Sequence, residues 1–253
     1  MGGLDQADAS VSGVMTAGLQ GARPVGSLPH PLHDAAAASV AGRVYVIGGG
    51  EPSYSEIMAV DRAGRATVVG HLPAAASDVA AAVVGDTVYV VGGYTGIRAL
   101  DTIVAWSGSG VARVVGRLPH PLRYGAVTAI GGRLVIAGGT TGEDATADVY
   151  AFDPATAHVA KIAVLPQTVT HAAAAALNGY VYVIGGRGAV QGTQRTAILA
   201  IDPRSGRVVH AGRLPTALSD AGAAALGNTI LVAGGREAGG GLSDHIYVLT
   251  PTR

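Results

Sequence analysis

Residues His171–Gly186 read HAAAAALNGYVYVIGG. An alanine-rich run meets Asn178-Gly179, and a run of β-branched and aromatic residues then leads to a Gly pair. Apolar run, Asn-Gly, apolar run is the strongest short-range signal for a β-hairpin, because Asn and Gly tolerate the positive φ of a tight turn. Alanine by itself favours helix, but a Gly-containing turn and a Gly pair at fixed offsets override that preference. The same sixteen-residue unit recurs at Asp34–Gly49, Asp78–Gly93, Tyr124–Gly139 and Asp220–Gly235, with the turn at the same offset each time. The pairs begin at Gly48, Gly92, Gly138, Gly185 and Gly234, so the period runs 44, 46, 47 and 49 residues.

Working outward, each Gly pair is followed by a polar loop, a short apolar run, a turn and a second apolar run that closes on Leu-Pro. The closing steps are Leu28-Pro29, Leu72-Pro73, Leu118-Pro119, Leu165-Pro166 and Leu214-Pro215. Runs such as Ile57–Asp61, Ile103–Trp106, Asp148–Asp153 and Ile198–Asp202 supply a third strand, and Val68-Val69 or Val114-Val115 a fourth. Asp153-Pro154 and Asp202-Pro203 are turn chemistry between them. Four strands, a to d, in a period of about 45 residues predict blades of a β-propeller, in which stacking buries both faces of sheets that cannot stand alone. The small a strands suit the innermost position.

The motifs VYVIGG, VYVVGG, LVIAGG, VYVIGG and ILVAGG, each followed by an apolar c strand and a Leu-Pro close, resemble kelch repeats, bacterial kelch-repeat proteins among them. That resemblance covers nearly the whole chain. It implies an all-β, kelch-type β-propeller of four-stranded blades, with ligand contacts just before the innermost strands. One departure is plain: the Trp usual in the fourth kelch strand is missing, and the single Trp, Trp106, falls in a c strand.

The expected organisation is a single propeller domain over 1–253, with five blades at about 22–70, 71–116, 117–163, 164–212 and 213–253. Gly2-Gly3 precedes Leu28-Pro29 by the spacing that separates Gly92 from Leu118, so residues 1–21 read as part of a repeat begun midway. Ser12–Ala17 is c-like and Ala22–Ser27 d-like, whereas the C-terminus stops after a c strand at His245–Thr250. Ala22–Ser27 is therefore expected to fill the vacant outer edge of the C-terminal blade and close the ring, as a velcro strand. The alternative is an incomplete six-bladed ring.

Composition narrows the partners. Seventeen Lys and Arg balance seventeen Asp and Glu, which gives no basic footprint for nucleic acid. The absence of Cys rules out disulfides, thiolate metal sites and a Cys nucleophile. No apolar run approaches the roughly 18 residues of a helical membrane span, so membrane insertion is not expected, and no export signal precedes the first repeat. Aromatics make up 4% of the chain, so the core must be aliphatic.

Alternating strand directions bring the d-to-a and b-to-c loops out on one face, the expected functional face. Its inner positions are His33-Asp34, Ser77-Asp78, Arg123-Tyr124, Thr170-His171 and Ser219-Asp220. Its outer positions include Glu51, Tyr54, Tyr94, Arg98, Glu143, Asp144, Arg187, Gln191, Arg195, Arg236 and Glu237. The candidate ligand-binding residues are His33, Asp34, Asp78, Arg123, Tyr124, His171, Asp220, Arg187 and Arg236. The blander reading makes the inner Asp and Ser residues caps for loop amides. Arg117 and Arg213 are expected to pair with acidic neighbours across blades, and His30 and His120 to pack within their loops.

No HExxH, GxSxG or phosphate-loop pattern is present. The expected function is thus a non-catalytic binding or scaffold propeller for a protein, peptide or glycan, with no cofactor. The alternative is a sugar-active enzyme resembling the bacterial kelch sialic-acid mutarotases, with Arg123, Arg187 and Arg236 beside Glu51, Glu143, Glu237 or His171. A metal at Asp34, Asp78, Asp220 and His171 is a third idea, suited to an oxygen-preferring ion.

Overall fold

The computed structural model describes residues 1–18, 21–50 and 52–251, and among them there are strands and turns but no helix. The chain folds into two compact units, Met1–Arg123 and Tyr124–Arg253.

The first unit opens with β1 (Val11–Gly18) and β2 (Gly21–Leu32), which pair antiparallel. Its first blade is β3 (Ala36–Val40), β4 (Arg43–Ile47), β5 (Glu56–Val60) and β6 (Ala66–His71). The second is β7 (Ala80–Val84), β8 (Thr87–Val91), β9 (Thr102–Trp106) and β11 (Arg113–Arg117), while the short β10 (Gly110–Val111) runs parallel to β6. In the second unit the third blade is β12 (Ala126–Ile130), β13 (Arg133–Ala137), β16 (Asp148–Asp153) and β17 (His158–Val164). A two-residue ladder, β14 (Thr140–Thr141) with β15 (Asp144–Ala145), crosses its b-to-c loop. The fourth blade is β18 (Ala173–Leu177), β19 (Tyr180–Ile184), β20 (Arg195–Ile201) and β21 (Val208–Ser219). The fifth is β22 (Gly222–Leu226), β23 (Thr229–Ala233) and β25 (Ile246–Leu249), and β24 (Arg236–Glu237) pairs back onto β21.

Every a–b hairpin forms where the repeat predicts it. The turns at Ala41-Gly42, Gly131-Gly132 and Asn178-Gly179 have positive φ at both residues, whereas Gly85 and Gly227 carry it alone at the first position. These are the sign patterns of the two primed turns whose twist matches that of paired strands. The alanine tracts are strands, so a-strand Cβ atoms such as Ala36, Ala38, Ala173 and Ala175 are buried where neighbouring a strands lie side by side, β3 with β7 and β18 with β12 and β22.

Each c–d ladder in the four complete blades slips by one residue, between Ile57 and Met58, Val114 and Gly116, Val149 and Tyr150, and Ile198 and Leu199. A bulge at that point increases the twist of the outer strand. The missing fourth-strand Trp is partly offset in the first unit. Trp106 is buried, meets Tyr45 edge-on at 5.0 Å and packs against Gly70, where a Cβ would collide with its indole.

Within the first unit the two N-terminal strands pair with each other. Ala22–Ser27 lies in β2, and its ladder partner is β1, with Ala17 opposite Ala22 and Val14 opposite Gly26. Val14, Leu28 and Leu32 then bury against Val46, Met58 and Val60 of the first blade. Among the described residues the last blade has three strands. A c-like and a d-like strand a few residues apart pair readily because closing a short loop costs little entropy.

Candidate ligand-binding site

The loops of each blade are fixed by two backbone devices. Both glycines of every pair have positive φ. In four blades the amide of the second glycine donates to a carbonyl in the loop that ends the same blade's d strand: Gly49 to Ala76, Gly93 to Leu122, Gly139 to Val169 and Gly186 to Leu218, at 2.8–2.9 Å. That carbonyl lies so near the first glycine that a Cβ there would approach closer than 3.0 Å.

The residue opening each a strand is also left-handed, with φ of 51° at Asp34, 58° at Asp78, 53° at Tyr124, 56° at His171 and 59° at Asp220. This turns its amide toward the equivalent residue one repeat earlier. Asp78 N–H donates to Asp34 O at 2.9 Å, His171 to Tyr124 at 3.2 Å and Asp220 to His171 at 2.9 Å. Asp tolerates this conformation, whereas a bulky side chain pays roughly 1–2 kcal/mol for it. Histidine tolerates it too, so Tyr124 is the inner residue whose identity the backbone opposes, the signature of a side chain kept for another reason.

The residue before four of these pairs with the first residue of the b-to-c loop: His33 with Gly50, Ser77 with Tyr94, Thr170 with Arg187 and Ser219 with Arg236. Inner and outer candidates are thus neighbours within a blade.

In the second unit four of them converge. The Tyr124 and His171 rings stack with centroids 3.7 Å apart, 22° from parallel. Arg187 Nη2 lies 3.1 Å from His171 Nε2, and Thr170 Oγ1 lies 3.0 Å from His171 Nδ1 and 2.7 Å from Thr140 Oγ1. An arginine can only donate, so its bond assigns the histidine a bare Nε2 and an Nδ1–H that donates to Thr170. Asp220 Oδ1 is 3.9 Å from the same Nε2, and Ser219 Oγ donates to Asp220 Oδ2 at 2.5 Å. Arg187 Nη1 donates to the carbonyls of Gly188 and Ala189, while its Nε is buried without a partner. Arg236 donates to Gly240 O at 3.3 Å, holding the glycine loop.

Crowding by the protein raises the Asp220 pKa above its ordinary value, against the opposing pull of the Ser219 hydroxyl and the charges of Arg187 and Arg236. The outer third of the side chain stays wet, which moderates the effect. A carboxyl whose folded pKa is raised favours folding most when protonated, so its contribution falls as pH climbs through that pKa. Asp220→Asn should therefore raise the thermal midpoint relative to wild type at pH 7. The difference should vanish as pH falls toward about 4, near the ordinary carboxyl value, and a constant difference from pH 4 to 7 would refute the assignment.

The first unit presents a different arrangement. Asp78, 5% exposed, receives Arg123 Nε at 2.6 Å and Nη2 at 2.5 Å, both on Oδ2. The guanidinium stacks 4.2 Å above the Tyr94 ring. His33 bonds Ser10 Oγ through Nδ1 at 2.8 Å and lies 3.8 Å from Asp34. Asp78 and Asp220 thus bond to side chains and do not act as loop caps, a role that Asp61, Asp153 and Asp202 fill in turns elsewhere. Glu51 lies outside the described residues, and among those described no three His, Asp or Glu side chains gather as a metal would require. Arg117 pairs with Asp101 across its own blade's strands at 2.5 Å, and Arg213 makes no such pair among the described residues. His30 packs as expected, stacked on Tyr54 at 4.0 Å, and also bonds Glu56 at 2.6 Å.

Five blade sheets built on this repeat define a kelch-type β-propeller. The KLHDC2/KLHL20/DRC7 Kelch-repeats domain model matches residues 35–235, and the chain belongs to that family. Among solved structures it is similar to the "Structure of YjhT", with a TM-score of 0.84 and 17% identity over 98% of this chain and 90% of that one. No curated protein sequence matches significantly.

Proposed function

We propose that this protein is a non-catalytic binding module that recognises a protein, peptide or glycan through the loops before the a strands and after the Gly pairs. The observation carrying this reading is the Tyr124–His171 stack beside Arg187 and Asp220, with Tyr124 held at a positive φ that its ring disfavours. An aromatic face next to a guanidinium and a carboxylate suits a sugar ring or a polar peptide side chain. Arg236 extends the surface in the second unit; within the first unit His33 and Asp34 are the equivalent candidates, and Asp78 with Arg123 holds the Tyr94 loop. The balanced charge suits neither nucleic acid nor an anionic membrane as a partner.

The test is a glycan and peptide array probed with the full chain and with Arg187→Ala and Arg236→Ala. Losing a charge-assisted bond predicts about 10–100-fold weaker binding for Arg187→Ala. Undiminished binding in both variants would move the site elsewhere.

One observation favours a second reading, a sugar-active enzyme resembling a sialic-acid mutarotase. A guanidinium nitrogen and a carboxylate oxygen both lie within 4 Å of His171 Nε2, an arrangement able to shuttle a proton between the anomeric hydroxyl and ring oxygen of a sugar. NMR exchange between the anomers of N-acetylneuraminic acid would be accelerated by the wild type and not by His171→Gln. A rate equal to that in buffer alone removes the enzyme.

A further inference from the structure

The fourth blade holds a cavity apart from the His171 constellation. It lies between the loop after β17 and the c and d strands β20 and β21, with a volume of about 560 Å³, within the range of small-molecule sites. Val169, Val183 and Leu199 give it an apolar floor. Its charged groups are all basic or potentially so, Arg195, Arg213 and His210, and no Asp or Glu lines it.

Two features mark the cavity as built to be filled. Gln194 contributes to its wall, and both amide atoms, Nε2 and Oε1, are buried with no hydrogen-bond partner. A buried donor and acceptor left unsatisfied together is an arrangement folded proteins avoid unless something else supplies the partners. Next to it Arg195 is held in place by a bond from Nη1 to Thr168 O at 2.6 Å, and burial lowers its pKa. Arg213 stands exposed at the rim with no ion pair or hydrogen bond among the described residues. Two guanidinium groups over an apolar floor, with no counterion, leave positive potential where water is displaced.

We propose that this cavity binds a small organic anion. Its carboxylate is met by Arg195 and Arg213, an adjacent hydroxyl or carbonyl pairs with the Gln194 amide, and a compact aliphatic body rests on Val169, Val183 and Leu199. The planar guanidinium fork fits a carboxylate, and the amide offers one donor and one acceptor to the neighbouring group.

The probe is 2-hydroxyisocaproate, titrated into the full chain by calorimetry and followed by amide NMR. Isocaproate, 2-hydroxyisocaproamide and inorganic phosphate are the controls. Saturable binding is expected, with shifts confined to residues 166–169, 194–199 and 210–217. Isocaproate should bind several-fold more weakly for want of the hydroxyl, and the neutral amide at least tenfold more weakly. Arg213→Gln, at an exposed residue with no partner to orphan, should weaken 2-hydroxyisocaproate at least tenfold. Gln194→Leu should weaken it by the same several-fold and erase its preference over isocaproate, without lowering the thermal midpoint. Absent saturation, equal binding of the neutral amide, an unchanged Arg213→Gln affinity, or phosphate binding as well (an adventitious ion only) would each overturn the proposal. The site shares no residue with the His171 constellation, so array results for Arg187→Ala bear on neither outcome.

Discussion

Gly185→Ala should destabilise the protein by at least about 3 kcal/mol, while Gly234→Ala should cost only about 1 kcal/mol. Both glycines open a Gly pair, and both have positive φ, 64° and 68°. At Gly185 a Cβ would stand closer than 3.0 Å to Leu218 O, the carbonyl that accepts the Gly186 amide. The methyl group cannot fit unless that bond breaks and the C-terminal end of β21 withdraws. Gly234 has nothing within 4 Å of its would-be Cβ, so only the backbone penalty remains. In a unit of this size the difference reads as a thermal midpoint lowered by about 6–12 °C against about 2–4 °C. Equal shifts would show that φ alone makes the pair invariant across the repeats and that the close carbonyl is incidental.

That contrast also explains how far the sequence could be read. The a–b hairpins were legible because alternation, turn chemistry and the Gly pair all act within sixteen residues, as in His171–Gly186. The partner of the Gly pair was not, since a backbone carbonyl such as Leu218 O leaves no mark on residue identity. The same holds for the c–d bulges. Val68-Val69 and Val114-Val115 read as plain strand, yet Val69 and Val115 are the residues left out of the ladder.

The repeat offset marked every inner residue of the candidate site, and the positive φ at all five is a consequence of that shared place. It did not reveal which side chains meet. Arg123 lies 45 residues from Asp78, and only the stacking of one blade on the next within the first unit brings them together. The pairing of β1 with β2 was hidden for a related reason: residue pattern identified them as c-like and d-like but did not show that they pair with each other, which their short connection favours. Gln194, Arg195 and Arg213 escaped as a group because a cavity is a property of packing, and three polar residues in two separate segments announce nothing by spacing.

The second large effect tests that pairing. Asp78→Ala should cost about 2–4 kcal/mol, below the usual range for breaking a buried ion pair because the Arg123 side chain is 28% exposed and finds some water. The loss has two sources, an Arg123 deprived of the carboxylate it pairs with and an alanine forced to the 58° φ that Asp78 adopts. Asp78→Asn keeps the tolerated conformation and one acceptor, so it should lose less than half as much. Arg123→Met removes the charge that Asp78 was burying against. In the Asp78→Ala/Arg123→Met double variant the two losses should therefore sum to less than their separate values, with a coupling of 1 kcal/mol or more. Strict additivity would mean that the 2.5 Å contact contributes nothing. The same variants separate stability from recognition. If Arg123 serves by holding the Tyr94 ring 4.2 Å beneath it, array binding per folded molecule should stay near wild type in Arg123→Met and fall in Arg187→Ala. The arginine already neutralised by a buried carboxylate has little left to offer a ligand, whereas Arg187 keeps an unpartnered Nε beside the aromatic pair.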